Sequence, residues 1–283
     1  MRNTFLYLAG LLLLASCETV VELDLDESSK NLVSQSVLEF EQGLDFGVAT
    51  VELTETTAFF SGISNPIVSG ALVIINDIYI LEEVYETGIY INDSIPFGLD
   101  EDYKLSIEAE INGLNGIWEG ADEFALLAPI DTFYITFEQG NSPFTEDGYF
   151  LKIGFKDPAD EVNFYLNELK VIRVEDNESA NFQGFEFRPY NDELVNGYYL
   201  EGPVNDIAYH LFDTVDFKFS GISESSYSFY ENIFQLTFQT LDIVTSPPFP
   251  IRGNLISQNE NFDNALGNFK VKNVFKKHIV IGE

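Results

Sequence analysis

Apolar and polar positions alternate along most of this chain with a period of two. Val21-Glu22-Leu23-Asp24-Leu25-Asp26 switches between apolar and acidic at every step, as a strand does when one face is covered and the other wet. Ala49, Val51 and Leu53 alternate with Thr50, Glu52 and Thr54. Tyr103, Leu105, Ile107, Ala109 and Ile111 alternate with Lys104, Ser106, Glu108 and Glu110. Between them, Ala71-Leu72-Val73-Ile74-Ile75 is apolar throughout, which predicts a strand covered on both faces. Ser64-Asn65-Pro66, Asn76-Asp77 and the stretch from Asn112-Gly113 to Asn115-Gly116 punctuate these runs as turns. No helical period stands out between residues 31 and 127, so this half reads as an antiparallel β-sandwich.

Ala128-Pro129-Ile130-Asp131 marks the passage from a domain over residues 17–128 to a second over 129–283. Beyond it, Tyr149, Leu151, Ile153 and Phe155 alternate with Phe150, Lys152, Gly154 and Lys156, and Val215-Asp216-Phe217-Lys218-Phe219 alternates again. The period then changes. Tyr227, Tyr230, Phe234, Phe238 and Leu241 are spaced by threes and fours, which predicts one amphipathic helix near residues 224–241. Ser223 or Ser225 caps its start, Glu224 complements its positive end, and Ser246-Pro247-Pro248 stops it. Its aromatic stripe is expected to pack on the second sheet. The fold class is thus mainly β, a sandwich followed by a second β-rich domain with one amphipathic helix. The 26 Phe and 14 Tyr agree, because aromatic side chains favour strands.

Charge narrows the partners. Fourteen basic residues face 47 acidic ones, for a net charge of −33, yet 45% of residues are hydrophobic, so this is not the composition of a disordered acidic chain. Such a surface repels polyanions, and nucleic acid is excluded as a partner. The one basic concentration is Lys270, Lys272, Lys276, Lys277 and His278, which reads as a strand face offsetting part of the acidic field. No Gly-x-Ser-x-Gly elbow occurs, and only His210 and His278 offer an imidazole base. Two isolated histidines and one cysteine do not make a zinc ligand set. Asn92-Asp93 and Asp100-Glu101-Asp102 flank one loop with oxygen ligands for calcium, but without the twelve-residue calcium-loop spacing they read as a solvated acidic loop. With 47 acids, some carboxylate pair always lies at a glycosidase-like separation, so such pairs carry no information. Neither an active site nor a cofactor is expected.

The N-terminus carries the sharpest signal. Arg2 precedes an apolar run over residues 5–15, followed by Ser16 and by Cys17, the chain's one cysteine. This is the three-part pattern of a secretory signal. As a helix, residues 5–16 reach about 18 Å, short of the roughly 30 Å hydrocarbon core. Leu14-Ala15-Ser16-Cys17 resembles the bacterial lipobox. That resemblance implies a signal peptide over residues 1–16, cleavage between Ser16 and Cys17, and lipid on the Cys17 thiol. A lipid-bearing sole thiol leaves no disulfide within the chain, and several acyl chains on one residue make a stable anchor.

Four further stretches, in order along the chain, resemble a family of Bacteroidota outer-membrane lipoproteins, domain of unknown function 4249. They are Ser16-Cys17-Glu18 with the strand at 21–26; Pro66-Ile67-Val68-Ser69-Gly70-Ala71-Leu72-Val73-Ile74 with Thr87-Gly88-Ile89-Tyr90 and Asp102-Tyr103-Lys104-Leu105; Ala128-Pro129-Ile130-Asp131; and Pro250-Ile251-Arg252-Gly253-Asn254 with Asn264-Ala265-Leu266-Gly267-Asn268-Phe269. The resemblance implies a transthyretin-like or immunoglobulin-like N-terminal sandwich and association with a TonB-dependent outer-membrane transporter. It carries over no catalytic residue. The expectation is a non-catalytic accessory or ligand-capture lipoprotein of the outer membrane, the cell surface favoured over the periplasmic leaflet. A surface adhesin or structural lipoprotein, and behind it a glycan or peptide hydrolase, are the alternatives. If residues 21–26 form a strand close behind the anchor, limited proteolysis of the folded protein leaves bonds between Thr19 and Ser29 intact; ready cleavage there places the strand assignment in error.

Overall fold

A computed structural model describes residues 30–57, 64–98, 102–140, 146–173, 187–205, 207–239 and 251–282. Ser16, Cys17 and the strand expected at 21–26 lie outside the described residues. Seven strands come first: β1 (Leu32–Glu41), β2 (Phe46–Glu55), β3 (Leu72–Ile75), β4 (Tyr79–Glu83), β5 (Ile89–Pro96), β6 (Asp102–Ile111) and β7 (Leu114–Glu123). Six more follow: β8 (Ile130–Glu138), β9 (Gly148–Lys156), β10 (Phe164–Ile172), β11 (Phe187–Asn191), β12 (Tyr199–Pro203) and β13 (Thr214–Ile222). A helix, α1 (Glu224–Gln239), precedes β14 (Ile256–Ser257) and the long last strand β15 (Leu266–Val280). The chain is mainly β, as its alternation requires.

Twelve strands form one sheet in the order β11-β10-β13-β15-β1-β2-β5-β4-β3-β6-β7-β14; β12-β9-β8 form a small second sheet. The large sheet folds over itself, bringing β7 beside β15. Its doubled part encloses one core, with Leu38, Phe40, Val51 and Leu53 facing Tyr103, Leu105, Ile107 and Trp118. Ala49, Val51 and Leu53, and all five apolar residues predicted on β6, point inward as the period of two demands. The run 71–75 differs from expectation. Val73 and Ile75 are buried but Leu72 is 44% exposed, because among the described residues no layer covers the outer face of β3. Asn76 and Asp77 hold positive φ and Ile78 N–H donates to Ile75 C=O, the type I′ hairpin geometry that suits strand twist. Tyr85 and Glu86 adopt the same backbone without a side chain suited to it.

The second core lies where the other half of the large sheet meets the small one. Phe155 packs within 5.4 Å of the Tyr165 and Phe219 rings, and Phe133 stacks on Phe217 at 5.9 Å. On the opposite face sits α1, with Tyr227 against Phe164 and Tyr230 against Phe187. The aromatic stripe is therefore a packing surface at Tyr227 and Tyr230; the side chains of Phe238 and Leu241 lie outside the described residues.

One strand serves both cores. β15 pairs in parallel with β1, from Val33 opposite Leu266 to Glu41 opposite Val274, and antiparallel with β13 from Lys272 to Val280. Phe269 and Val271 fill the first core, Phe275 and Ile279 the second. Between them Asn273, 4% exposed, accepts from Leu127 N–H and donates to Phe40 C=O. The segment before β15 returns to the first core with Leu255, Ala265 and Phe262, and Trp118 Nε1–H donates to Asp263 C=O.

Two clasps explain why the stretches named above go together. Tyr90, buried, donates its hydroxyl to Val68 C=O and accepts from Ala71 N–H, tying 66–74 to 87–90. In the other, Asn254 donates to Ala121 C=O and Phe269 C=O and accepts from Phe269 N–H, while its own N–H donates to Asn268 Oδ1. Backbones meet so closely here that a Cβ on Gly267, at φ +101, would lie 2.0 Å from Ser34 O. Asn254→Ala takes these partners from Phe269 N–H and Ala121 C=O, while Phe269 C=O keeps its bond from the Asn268 amide. We expect a loss of about 3 kcal/mol in chemical denaturation, from about 1–3 kcal/mol per buried unsatisfied group; a change below about 1 kcal/mol would show the clasp to be dispensable.

Candidate binding groove

The outer face of β10, β13 and β15 changes character away from α1. Beneath the helix it is apolar on β10 and β13, through Leu166 and Ile222. Farther along, successive outward positions bring Glu168 opposite Lys218, Lys218 opposite Lys276, Lys170 opposite Asp216, and Asp216 opposite His278. Outward residues of neighbouring strands come within charge-pairing distance, so the period of two that buries Phe217 and Phe219 also aligns these charges. Together with Phe187 they line a groove of about 560 Å³.

Acids from three strands neutralise the basic segment that the sequence singled out. Glu39 of β1 holds Lys218 at 2.8 Å and Lys276 at 2.9 Å. Burial by itself pushes the Glu39 carboxyl up, but the two ammonium groups outweigh it and bring its pKa down to about 2. Lys272, 3% exposed, holds Glu168 at 2.8 Å and lies 5.4 Å from the Tyr230 ring of α1. Burial alone would depress Lys272; the nearby Tyr230 and Glu168 raise it above the ordinary lysine value. Lys270 also lies 5.4 Å from the Tyr230 ring, and burial, with Lys272 adding to it, lowers it to about 8. The solvated basic face expected from sequence is thus solvated only at its far end. Lys277 and His278 are exposed, whereas Lys270 and Lys272 lie under the helix.

Asp122, at the end of β7, fixes the helix that bounds this face. It accepts from the hydroxyls of Ser223, Ser225 and Ser226 and from Val271 N–H. Ser223 caps α1 by accepting from Ser226 N–H at 3.1 Å. A carboxylate at a helix N-terminus is also favoured by the helix dipole. Sequence reasoning found the cap but not Asp122, which is 101 residues away from Ser223.

The remaining candidates are dispersed. His210 sits in a turn, its N–H donating to Asp213. His278 Nδ1 lies 2.6 Å from Asp216, a pair 70% and 48% exposed, and no serine, threonine or cysteine lines the groove among the described residues. Asn92 and Asp93 bond locally to Ile80 C=O, Ser94 N–H and the Ser94 hydroxyl. Asp102 begins β6 beside Asp122; Asp100 and Glu101 lie outside the described residues. Among the described residues no three of His, Cys, Asp and Glu cluster as metal ligands, and no helix is long and apolar enough to cross a membrane.

The sequence model of the family described as Domain of unknown function (DUF4249) matches residues 18–278. The chain belongs to this family. The match covers the first core, all of the second but its last residues, the charged groove and both clasps of this DUF4249 protein. No curated protein matches the chain.

The sign of Glu39's contribution follows from its lowered pKa. The stabilisation is present above the unfolded value of 4.5 and is lost as pH falls from there toward 2. A shift of this size corresponds to about 3 kcal/mol. Glu39→Gln is expected to remove about that much at pH 7 and to flatten the stability profile between pH 4.5 and 2. Denaturant melts of both proteins across that range check it; parallel profiles would refute the assignment.

Proposed function

We propose that this DUF4249 protein is a non-catalytic lipoprotein, anchored in the outer membrane through Cys17, that serves as an accessory or ligand-capture subunit of a TonB-dependent uptake system. The observation carrying the reading is the leader-like stretch 1–16 followed by Cys17, with the family match opening at the next residue, 18. That junction is where an anchor would give way to the exported domain. A net charge of −33 suits a surface that stays soluble at a membrane and docks against basic rims of a partner or takes up cationic ligands. The groove on β10, β13 and β15 offers an amphipathic concavity for a ligand carrying both signs of charge.

The test is affinity purification of the tagged protein from detergent-solubilised outer membranes, alongside Cys17→Ser. The expected result is palmitate incorporation and recovery of a stoichiometric TonB-dependent transporter with the native chain. Cys17→Ser is expected to lose the lipid and to leave the membrane fraction. Lipidated protein recovered alone, under conditions that keep transporter complexes intact, favours the adhesin reading; equal membrane retention of Cys17→Ser refutes the anchor.

A further inference from the structure

Two buried carboxylates on the far side of the second core form no ion pair among the described residues. Asp157 ends β9 and is 1% exposed; Asp192 follows β11 and is 0% exposed. They face each other from two surface loops, 157–163 and 192–197, that are bound together at several points. Asn163 N–H donates to Asp192 Oδ1, Asp192 N–H to Asn163 C=O, Gly197 N–H to Asp157 Oδ2, and the Asn196 side-chain amide to Glu161 C=O. The Tyr165 hydroxyl donates to Asp157 Oδ1. A Cβ on Gly197 would stand 2.7 Å from that of Ala159, so the loops are in direct contact.

Three buried oxygens in this arrangement accept nothing: Asp192 Oδ2, Asn163 Oδ1 and Asn196 Oδ1. The bond from the Asn196 amide nitrogen to Glu161 C=O fixes which end of that amide is left over. The Asp192 and Asp157 carboxylates also lie within hydrogen-bonding reach of each other. Buried charge without a counter-charge is strongly unfavourable, and so is each orphaned acceptor. A proton on Asp192 Oδ2 settles that atom and leaves the two amide oxygens with a single donor between them at most. A cation satisfies all of them together with Asp157.

We propose that these two loops form a calcium site, with the carboxylates of Asp157 and Asp192 and the amide oxygens of Asn163 and Asn196 as its side-chain ligands. The set is all oxygen, which selects a hard cation over zinc or copper. Calcium accepts 6–8 oxygens in flexible geometry, so backbone carbonyls or water complete its shell. Magnesium keeps most of its own water and fits a dry, irregular, amide-containing site poorly. Tyr165 and Gly197 orient Asp157 from behind, as partners of metal ligands do. The site is separate from the charged groove and from the acidic loop near residue 93. Its function is to lock the β9–β10 and β11–β12 loops together.

The experiment is calorimetric titration of the full chain, stripped of metal by chelator, with calcium chloride and separately with magnesium chloride. Thermal melts of the same samples accompany it. We expect one calcium per chain with a Kd of about 0.1–1 mM, the range of extracellular sites, and a thermal midpoint that rises with calcium. Asp192→Asn is expected to weaken binding more than about tenfold, the lower limit seen even for outer-shell partners. In chelator it melts no lower than the native chain, because the uncompensated charge is gone. If Asp192→Asn does not fold, Asn196→Ala serves in its place with the same expected loss of affinity. Absence of heat and of any midpoint shift up to about 10 mM, well above that range, overturns the proposal in favour of a shared proton or a trapped water. Undiminished binding by the variant overturns it too. Equal affinity for magnesium overturns the assignment to calcium.

Discussion

The parallel pairing of β15 with β1 is the constraint on which the rest of the fold depends. It joins Val33 to Leu266 and Glu41 to Val274, so the first sandwich closes only when the end of the chain comes back to its beginning. Closing so long a loop costs conformational entropy before any contact repays it, which makes this pairing late and slow to form. Once formed, it positions everything around it. Phe269 and Val271 complete one core, Phe275 and Ile279 the other, and Asn273 binds the seam between them. The close approach of Gly267 to Ser34 and the Asn254 clasp serve the same crossing.

The same strand concentrates the basic residues of a very acidic protein. Lys270, Lys272 and Lys276 lie where acids of β1 and β10 and the helix terminus converge, so their charge is spent inside the molecule. Glu39 and Glu168 answer Lys276 and Lys272 across neighbouring strands, and Tyr230 covers Lys270 and Lys272. Of this strand's basic residues only Lys277 and His278 are exposed. The helix, the groove and the electrostatics of this face are one arrangement. Displacing α1 would strip the cover from two lysines together.

Two kinds of buried acid separate structural from chemical roles. Asp122 accepts from three serine hydroxyls and a backbone amide, so its charge is dispersed over four donors at a helix N-terminus. Asp192 has one donor, an adjacent carboxylate and an unpaired oxygen. The first joins the first core to the start of α1 and needs nothing further. The second is incomplete as protein alone, and the incompleteness is what marks it.

Strand identity was legible wherever one face is wet. Ala49 to Leu53, Tyr103 to Ile111 and Leu151 to Phe155 show the period of two because their outward positions must be polar, and the helix was legible by its spacing of three and four and its Ser223 cap. The run at 71–75 misled because an apolar outer face is tolerated on a strand that no described residue covers. Local periodicity also placed Lys270 to His278 on a strand without revealing that a helix covers its first half. The β class, the helix and the family stretches were readable from sequence alone, since each rests on neighbours within a few residues. Only the tertiary structure decided that β15 bridges both cores, that Asp122 holds a helix from 101 residues away, and that Asp157 meets Asp192. Those pairings depend on long-range strand register, and no local alternation of apolar and polar residues encodes which distant strand becomes the neighbour.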